Sequence, residues 1–293
     1  MLQTLTAALL LALPADEPAK SYPRPELLVE PAELAKWANE AKVRVLDARS
    51  KEQYAKGHVP GAAWVDHDDW SRAFAKSQDF DEWSKRLDKI GIDPGTRVVV
   101  YDDNLSKDAA RIWWILHYWG VKDVRLLNGG WKGWLAAAGD ESTDAPAEVK
   151  RGSADFTAQK PRLTTKDDLL KMLKDRPPQI IDARSTGEFC GDEASGNKRA
   201  GAVPGAVHLE WSDLLDKKSG RFKSADELAK LFKDAGIDPT KPAVTYCQSG
   251  GRASVMAFAL ELMGGKEVRN YYRSWSEWGN AEDTPIIKPK PEK

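Results

Sequence analysis

Residues 243–265, AVTYCQSGGRASVMAFALELMGG, place a thiol, a hydroxyl, two glycines and a guanidinium between Cys247 and Arg252. An apolar run ends at Tyr246. The stretch Arg252–Met263 has no Gly or Pro and stops at Gly264-Gly265, a usual helix C-terminal signal. The segment therefore reads as strand, tight turn and helix. Gly250 and Gly251 open backbone conformations closed to other residues. Successive N–H groups of Gln248, Ser249, Gly250 and Gly251 can then converge on one point as an anion nest. The helix N-terminus adds partial positive charge there. A thiol facing such a nest is expected to have a depressed pKa and to be nucleophilic. Arg252 adds a permanent cation with a planar donor fork. The turn also lies at the carboxyl end of a strand, where open α/β sheets bind ligands. The alternative is an inert, buried strand-end cysteine; glycines, arginine and helix start so close together favour the reactive reading.

The elements that position this turn occur twice. VRVLDARSKEQYAKGHVPGAAWVD (43–66) is echoed by PQIIDARSTGEFCGDEASGNKRAGAVPGAVHLEW (178–211), GIDPGTRVVVYDD (91–103) by GIDPTKPAVTYCQ (236–248), and NGGWKGW (128–134) by YRSWSEW (272–278). Three landmarks in the same order mark a duplicated domain. Short β-branched runs at 43–46, 98–101, 179–181 and 243–246 alternate with helical patterns, so each copy reads as α/β, a central mainly parallel sheet with helices on both faces. The expected boundaries are an N-terminal arm or signal peptide at 1–20, a first domain at 25–140, a linker at 141–162, a second domain at 163–284 and a tail at 285–293 that looks disordered. The third landmark sets Asp102 opposite Cys247. One copy thus carries the thiol, and the other is expected to be catalytically silent.

Composition narrows the alternatives. The 293 residues are 41% hydrophobic and 30% charged, a soluble globular profile, and the formal net charge of -1 gives no global attraction to nucleic acid or an anionic membrane. Two cysteines, Cys190 and Cys247, cannot build a disulfide framework, and the four histidines show no metal-binding spacing; neither metal nor organic cofactor is expected. Residues 5–13 are apolar and followed by Pro14-Ala15, which reads as a signal-peptide core cut near Ala15, although no Lys or Arg precedes it. Export, to a periplasm, is the expectation; a cytoplasmic protein with an N-terminal arm is the alternative.

The tandem DAR…VPGA…YCQSGGR…SWSEW pattern resembles the two-domain rhodaneses, the thiosulfate and 3-mercaptopyruvate sulfurtransferases, over roughly residues 25–282. The resemblance implies a silent first domain and a second domain with Cys247 at the domain interface. It implies a double displacement through a persulfide on Cys247, with a small anionic sulfur donor and a thiophilic acceptor as partners, in a chain expected to be monomeric. Gln248, Ser249, Gly250 and Gly251 would cradle the sulfur, Arg252 would close the cradle and pair with substrate oxygens, and Ser249 either donates its hydroxyl to thiolate or substrate or merely turns the chain. Where the family carries a substrate-gripping arginine, this chain has Glu188, which would repel an anionic donor if it faced the pocket; Lys198 and Arg199 are candidates to replace the missing charge. Trp211 is a candidate pocket wall. The loop CQSGGR matches neither the thiosulfate form, with a basic residue after the cysteine, nor the mercaptopyruvate form CGSGVT. Arg252 replaces that threonine, which favours the dianion thiosulfate.

Other residues carry blander readings. Asp47 and Arg49 recur as Asp182 and Arg184, so they are expected to form an ion pair or loop tether. His58 is replaced by Ala202 in the second copy and is no base there. Trp113, Trp114, Trp275 and Trp278 read as core or interdomain packing. Cys190 is an ordinary loop residue or, alternatively, a resolving thiol. Two rival functions remain: a persulfide carrier without catalysis, and a cysteine phosphatase of the cell-division-cycle type. The phosphatase loop is longer by one residue than the four, Gln248–Gly251, found between Cys and Arg here, and a tighter loop suits a sulfur atom better.

Overall fold

β-Branched residues and short turns build two parallel sheets. In the computed structural model, which describes residues 21–37, 42–137, 139–146, 156–175 and 177–290, the first contains β1 (Leu28–Val29), β2 (Val43–Asp47), β3 (Ala63–Trp64), β4 (Arg97–Tyr101) and β5 (Asp123–Leu127), in the order β1-β5-β4-β2-β3. The second contains β6 (Gln179–Asp182), β7 (Val207–His208), β8 (Ala243–Tyr246) and β9 (Val268–Asn270), in the order β7-β6-β8-β9. Every pairing in both sheets is parallel. The expected tandem α/β architecture is therefore present. The central strands are buried along almost their whole length, because helices cover both faces. The N-terminal segment read as an export signal lies outside the described residues.

The two domains share a core. The helix Lys107–Tyr118 of the first packs along the helix Gly251–Leu262 of the second. In the latter every residue except Arg252 is buried, as expected for a helix that is apolar all round. Trp113 meets Phe258 edge-on at 5.1 Å between ring centroids, and Trp114 stacks on Tyr272 at 5.2 Å. One continuous apolar cluster runs through both domains, so the interface is a core and not a hinge. Trp113, Trp114, Trp275 and Trp278 are fully buried, in keeping with their packing role.

The described part of the tail, residues 285–290, departs from the disorder expected of it. Ile287 exchanges backbone hydrogen bonds of 2.8 and 3.0 Å with Ala202, and Trp278 donates its indole N–H to the Pro285 carbonyl at 2.9 Å. Gly201, at φ +129°, lets the Ile287 backbone approach where a Cβ would collide. The Ile286 side chain packs against the second domain's apolar cluster. That burial holds a segment whose composition alone suggested a free end. Among the described residues no helix is long and apolar enough to cross a membrane.

Candidate active site

A buried frame holds the site, and it is built twice. Arg184 grips Asp182 through Nε at 2.9 Å and Nη2 at 2.5 Å, and Nη2 also donates to the Gly201 carbonyl at 2.6 Å. Arg49 repeats this on Asp47 at 3.0 and 2.5 Å and on the Gly57 carbonyl at 2.7 Å. Each guanidinium lies over an indole: Arg184 is 4.3 Å from the Trp275 ring and Arg49 is 4.1 Å from Trp131. The Tyr246 and Tyr101 hydroxyls accept from the Val203 and Val59 amides, each at 3.1 Å. Asp and Arg thus tether the VPGA loop to the sheet in both copies. A device present in the copy without the thiol is scaffold, as the repeat suggested.

Cys247 follows β8 directly and is 1% exposed. Its Sγ accepts a hydrogen bond from the Gly250 amide at 3.1 Å. Gly250 caps the helix at φ +87°, a left-handed conformation glycine adopts without penalty. A Cβ there would lie 2.7 Å from the Tyr272 carbonyl. The cysteine's own backbone is pinned on both sides: its N–H donates to Ser274 Oγ at 3.0 Å, and its carbonyl accepts from the Trp275 N–H at 2.9 Å. Ser274 sits at φ +52°, a strained choice for a residue with a side chain. Its hydroxyl justifies the strain by donating to Tyr271 O at 2.7 Å while accepting from Cys247.

The first domain supplies a residue that reading the motifs missed. Arg111 leaves the Lys107–Tyr118 helix and donates to the Ser249 carbonyl at 2.7 Å and to Ser71 Oγ at 2.6 Å. It fills the space beside Gly251 so closely that a Cβ there would sit 2.5 Å from Nη2. Burial opposes its charge, but Tyr272, Cys247 and Asp108 together raise its pKa above the ordinary value. Arg111 therefore sits within the electrostatic reach of the thiol. The available signal was a lone cation inside AARIWWIL, since a charge in an otherwise apolar helix is kept only where it finds partners.

The motif's other polar residues are placed differently from expectation. Arg252 presents its fork to Glu188, not to open space, with Nη1–Oε2 at 2.6 Å and Nη2–Oε1 at 3.0 Å. Burial opposes the charge on Arg252, but Glu188 and Cys247 raise its pKa; burial likewise opposes the charge on Glu188, and Arg252 holds that carboxyl below its ordinary range. The feared repulsive carboxylate is thus neutralised by the very arginine expected to grip the donor. Ser249 Oγ lies 3.5 Å from Arg111 Nη2, not on the thiol. Gln248 exchanges amide hydrogen bonds of 3.1 Å with Asn197 at the rim.

Arg199 does not replace the missing charge. Its guanidinium donates to the carbonyls of Trp278 at 3.0 Å and Thr284 at 2.9 Å, and also to that of Ala281, so it ties down the chain after the last helix. Lys198 is exposed, and its backbone N–H is held by Asn280 Oδ1 at 2.8 Å. Trp211 is half-buried and packs against the shared core, with its N–H on the Ala183 carbonyl. Cys190 is buried, and burial with Asp192 raises its pKa, which disfavours a reactive thiolate there. His58 stacks on Tyr54 at 3.9 Å and contacts two carbonyls. Among the described residues no group of three or more His, Cys, Asp or Glu is arranged to hold a metal.

The first copy differs at the position of the thiol. Trp131 N–H donates to Asp102 O at 2.8 Å, the same bond that Trp275 makes to Cys247, which fixes the two positions as equivalents. The Asp102 carboxylate accepts from the amides of Asn104, Ser106, Asp108 and Ala109 at 2.8–3.0 Å. Burial and the neighbouring Asp108 nonetheless push its pKa up to about 6. A built-in carboxylate fills the nest that in the second copy faces a sulfur atom.

Comparison with known proteins agrees with this architecture. The model of the rhodanese-like domain matches residues 30–137 and again 165–281. The chain is 34% identical to the sulfur carrier protein TtuD of Thermus thermophilus, over 91% of this chain and 98% of that protein. It is 32% identical to a thiosulfate sulfurtransferase of Pseudomonas aeruginosa, over 89% of this chain and 96% of that one. Among solved structures, wild-type EanB superposes with a TM-score of 0.80 at 25% identity, over 94% of this chain and 72% of that one. With two matched domains, a duplicated frame and a single thiol at the end of β8, this chain belongs to the rhodanese-like family.

Proposed function

We propose that the protein is a sulfurtransferase that moves sulfane sulfur from thiosulfate to a thiophilic acceptor through a persulfide on Cys247. The observation that carries this reading is the Gly250 amide donating to Cys247 Sγ at 3.1 Å at the start of a buried helix. The first N–H groups of a helix have no intrahelical partner, so Gly251, Arg252 and Ala253 can add donors around a second sulfur atom. In the first step the Cys247 thiolate attacks the outer sulfur of thiosulfate; a Cys247 S–S bond forms, the donor S–S bond breaks, and sulfite leaves with its electron pair. In the second step cyanide or a thiolate attacks the terminal sulfur and the Cys247 thiolate leaves. This is nucleophilic catalysis in two displacements, and the terminal persulfide sulfur is the anion that the nest and Arg111 stabilise.

Thiosulfate is favoured over 3-mercaptopyruvate by the relatives named thiosulfate sulfurtransferase. The free charge expected on Arg252 no longer supports that choice, since Glu188 occupies its fork. A persulfide carrier without small-molecule turnover is the second reading; the likeness to a sulfur carrier protein favours it. Steady-state sulfur transfer to cyanide, from thiosulfate and from 3-mercaptopyruvate, on wild type and Cys247→Ser, separates the readings. Transfer from thiosulfate that is lost in the variant supports the enzyme. Preference for 3-mercaptopyruvate keeps the chemistry and changes the donor. A persulfide on Cys247 with no turnover from either donor supports the carrier. Export of a monomer cut near Ala15 is part of the proposal, tested by N-terminal sequencing and sedimentation of the protein from its native cells.

A further inference from the structure

We infer that Glu188 is a specificity-determining residue that discriminates among sulfur donors by their charge; the inference rests on the sulfurtransferase reading above. Glu188 is held in place twice. As the third residue of the helix Thr186–Cys190 it closes a capping box with Ser185, and both of its oxygens engage Arg252, at 2.6 and 3.0 Å. Glu188 is 5% exposed and the Arg252 side chain 21%, so the carboxylate is withdrawn from water and its charge is only partly screened. Arg252 lies within the field of Cys247, and so does Arg111. Arg111 is held at the Ser249 carbonyl and keeps its charge whatever stands at position 188. Arg184 is committed to Asp182, and Arg199 to carbonyls. With Arg252 neutralised by Glu188, the approach to the thiolate carries less positive charge than the motif CQSGGR suggests. A donor bringing two negative charges loses more by this than a donor bringing one.

Two donors isolate the effect because they deliver the same sulfur by the same displacement. Thiosulfate releases sulfite, and methanethiosulfonate releases methanesulfinate; each leaves the same persulfide on Cys247, and charge balances in both. Glu188→Gln removes the charge and one of the two oxygens that grip Arg252, while glutamine still closes the capping box. Coulomb energy scales with the product of the charges. The expected result is therefore a rise in kcat/KM of roughly tenfold for thiosulfate and roughly threefold for methanethiosulfonate, both shrinking with added salt. Arg252→Gln, which leaves the carboxylate unpaired, should shift the thiosulfate-to-methanethiosulfonate ratio the opposite way, and it stands as the test if Glu188→Gln does not fold. Equal changes for the two donors, or a fall for both in Glu188→Gln, would show that Glu188 merely holds Arg252 and would overturn the inference. Wild-type protein that turns over neither donor would overturn the sulfurtransferase reading, and the inference with it.

Discussion

Replacing Gly250 by alanine tests the cradle at its tightest point. Two costs add at this position. The backbone stands at φ +87°, and placing a side chain in left-handed conformation costs roughly 1–2 kcal/mol. The new Cβ would also lie 2.7 Å from the Tyr272 carbonyl oxygen. That oxygen is main chain, and the residues after it are pinned to Cys247 and Gln248 by backbone bonds of 2.9 Å, so Gly250 must move instead. Overpacking that forces a backbone shift costs a further ~1–3 kcal/mol. The sum, roughly 2–5 kcal/mol, should lower Tm by about 5–15 °C in a chain of this size. Gly205 is the matched control: its φ is +75° and nothing lies within 4 Å of its Cβ position, so Gly205→Ala carries the conformational cost alone. Movement of Gly250 would also draw its amide away from Cys247 Sγ, so persulfide formation should fall by at least tenfold. Calorimetry on both variants, with stopped-flow persulfide formation from thiosulfate, reads the two effects. If Gly250→Ala melts with Gly205→Ala and forms persulfide at the wild-type rate, the cradle does not work as described.

Three further outcomes follow from the same geometry. Arg111→Ala should slow sulfur transfer by roughly 10- to 100-fold, the value of a lost charge-assisted hydrogen bond, and should slow alkylation of Cys247 by iodoacetamide near neutral pH; unchanged alkylation would mean that the first domain does not tune the thiol. Ser274→Ala keeps the left-handed backbone but removes the acceptor for the Cys247 N–H, so it should cost about 1–3 kcal/mol in urea unfolding and broaden the active-site amide signals; a neutral result would dismiss the bond as incidental. His117 is buried, and burial with Arg162 and Arg24 lowers its pKa to about 3, whereas in the unfolded chain it titrates near 6.5. The folded state thus binds fewer protons across that window, so the His117 contribution is complete above about pH 6.5 and is lost as pH falls toward 3. Between pH 7.5 and 4.5 wild type should lose about 2–3 kcal/mol more stability than His117→Gln; parallel losses would refute the assignment.

The residues of the loop, the two-domain organisation and the presence of the loop thiol in one copy alone were legible because each is written in contiguous residues. A β-branched run, a Gly-Gly turn and a helix without breakers specify strand, turn and helix locally, and a duplicated order of landmarks needs no contact information at all. The Asp-Ala-Arg tether could be read as scaffold because it recurs where there is no thiol. The edge strands β1, β3, β7 and β9 are only two or three residues long, too short for periodicity to mark. Residues that act across the chain were not legible. Arg111 lies 138 positions from the carbonyl that it holds, and Glu188 lies 64 positions from Arg252. Which cation faces the donor and which is spent on a carboxylate or on carbonyls depends on who arrives as neighbour.

Sequence alone determined that Cys247 sits at a glycine-rich helix start in one of two homologous domains. That is a matter of backbone conformation, which nearby residues decide. Only the tertiary structure decided the electrostatics around the thiol. It brings Arg111 in from the other domain, turns Arg252 onto Glu188 and Arg199 onto the tail, and fills the sister nest with Asp102. Charges interact through distance and burial, not through sequence order, and both are set only when the two domains close on one core.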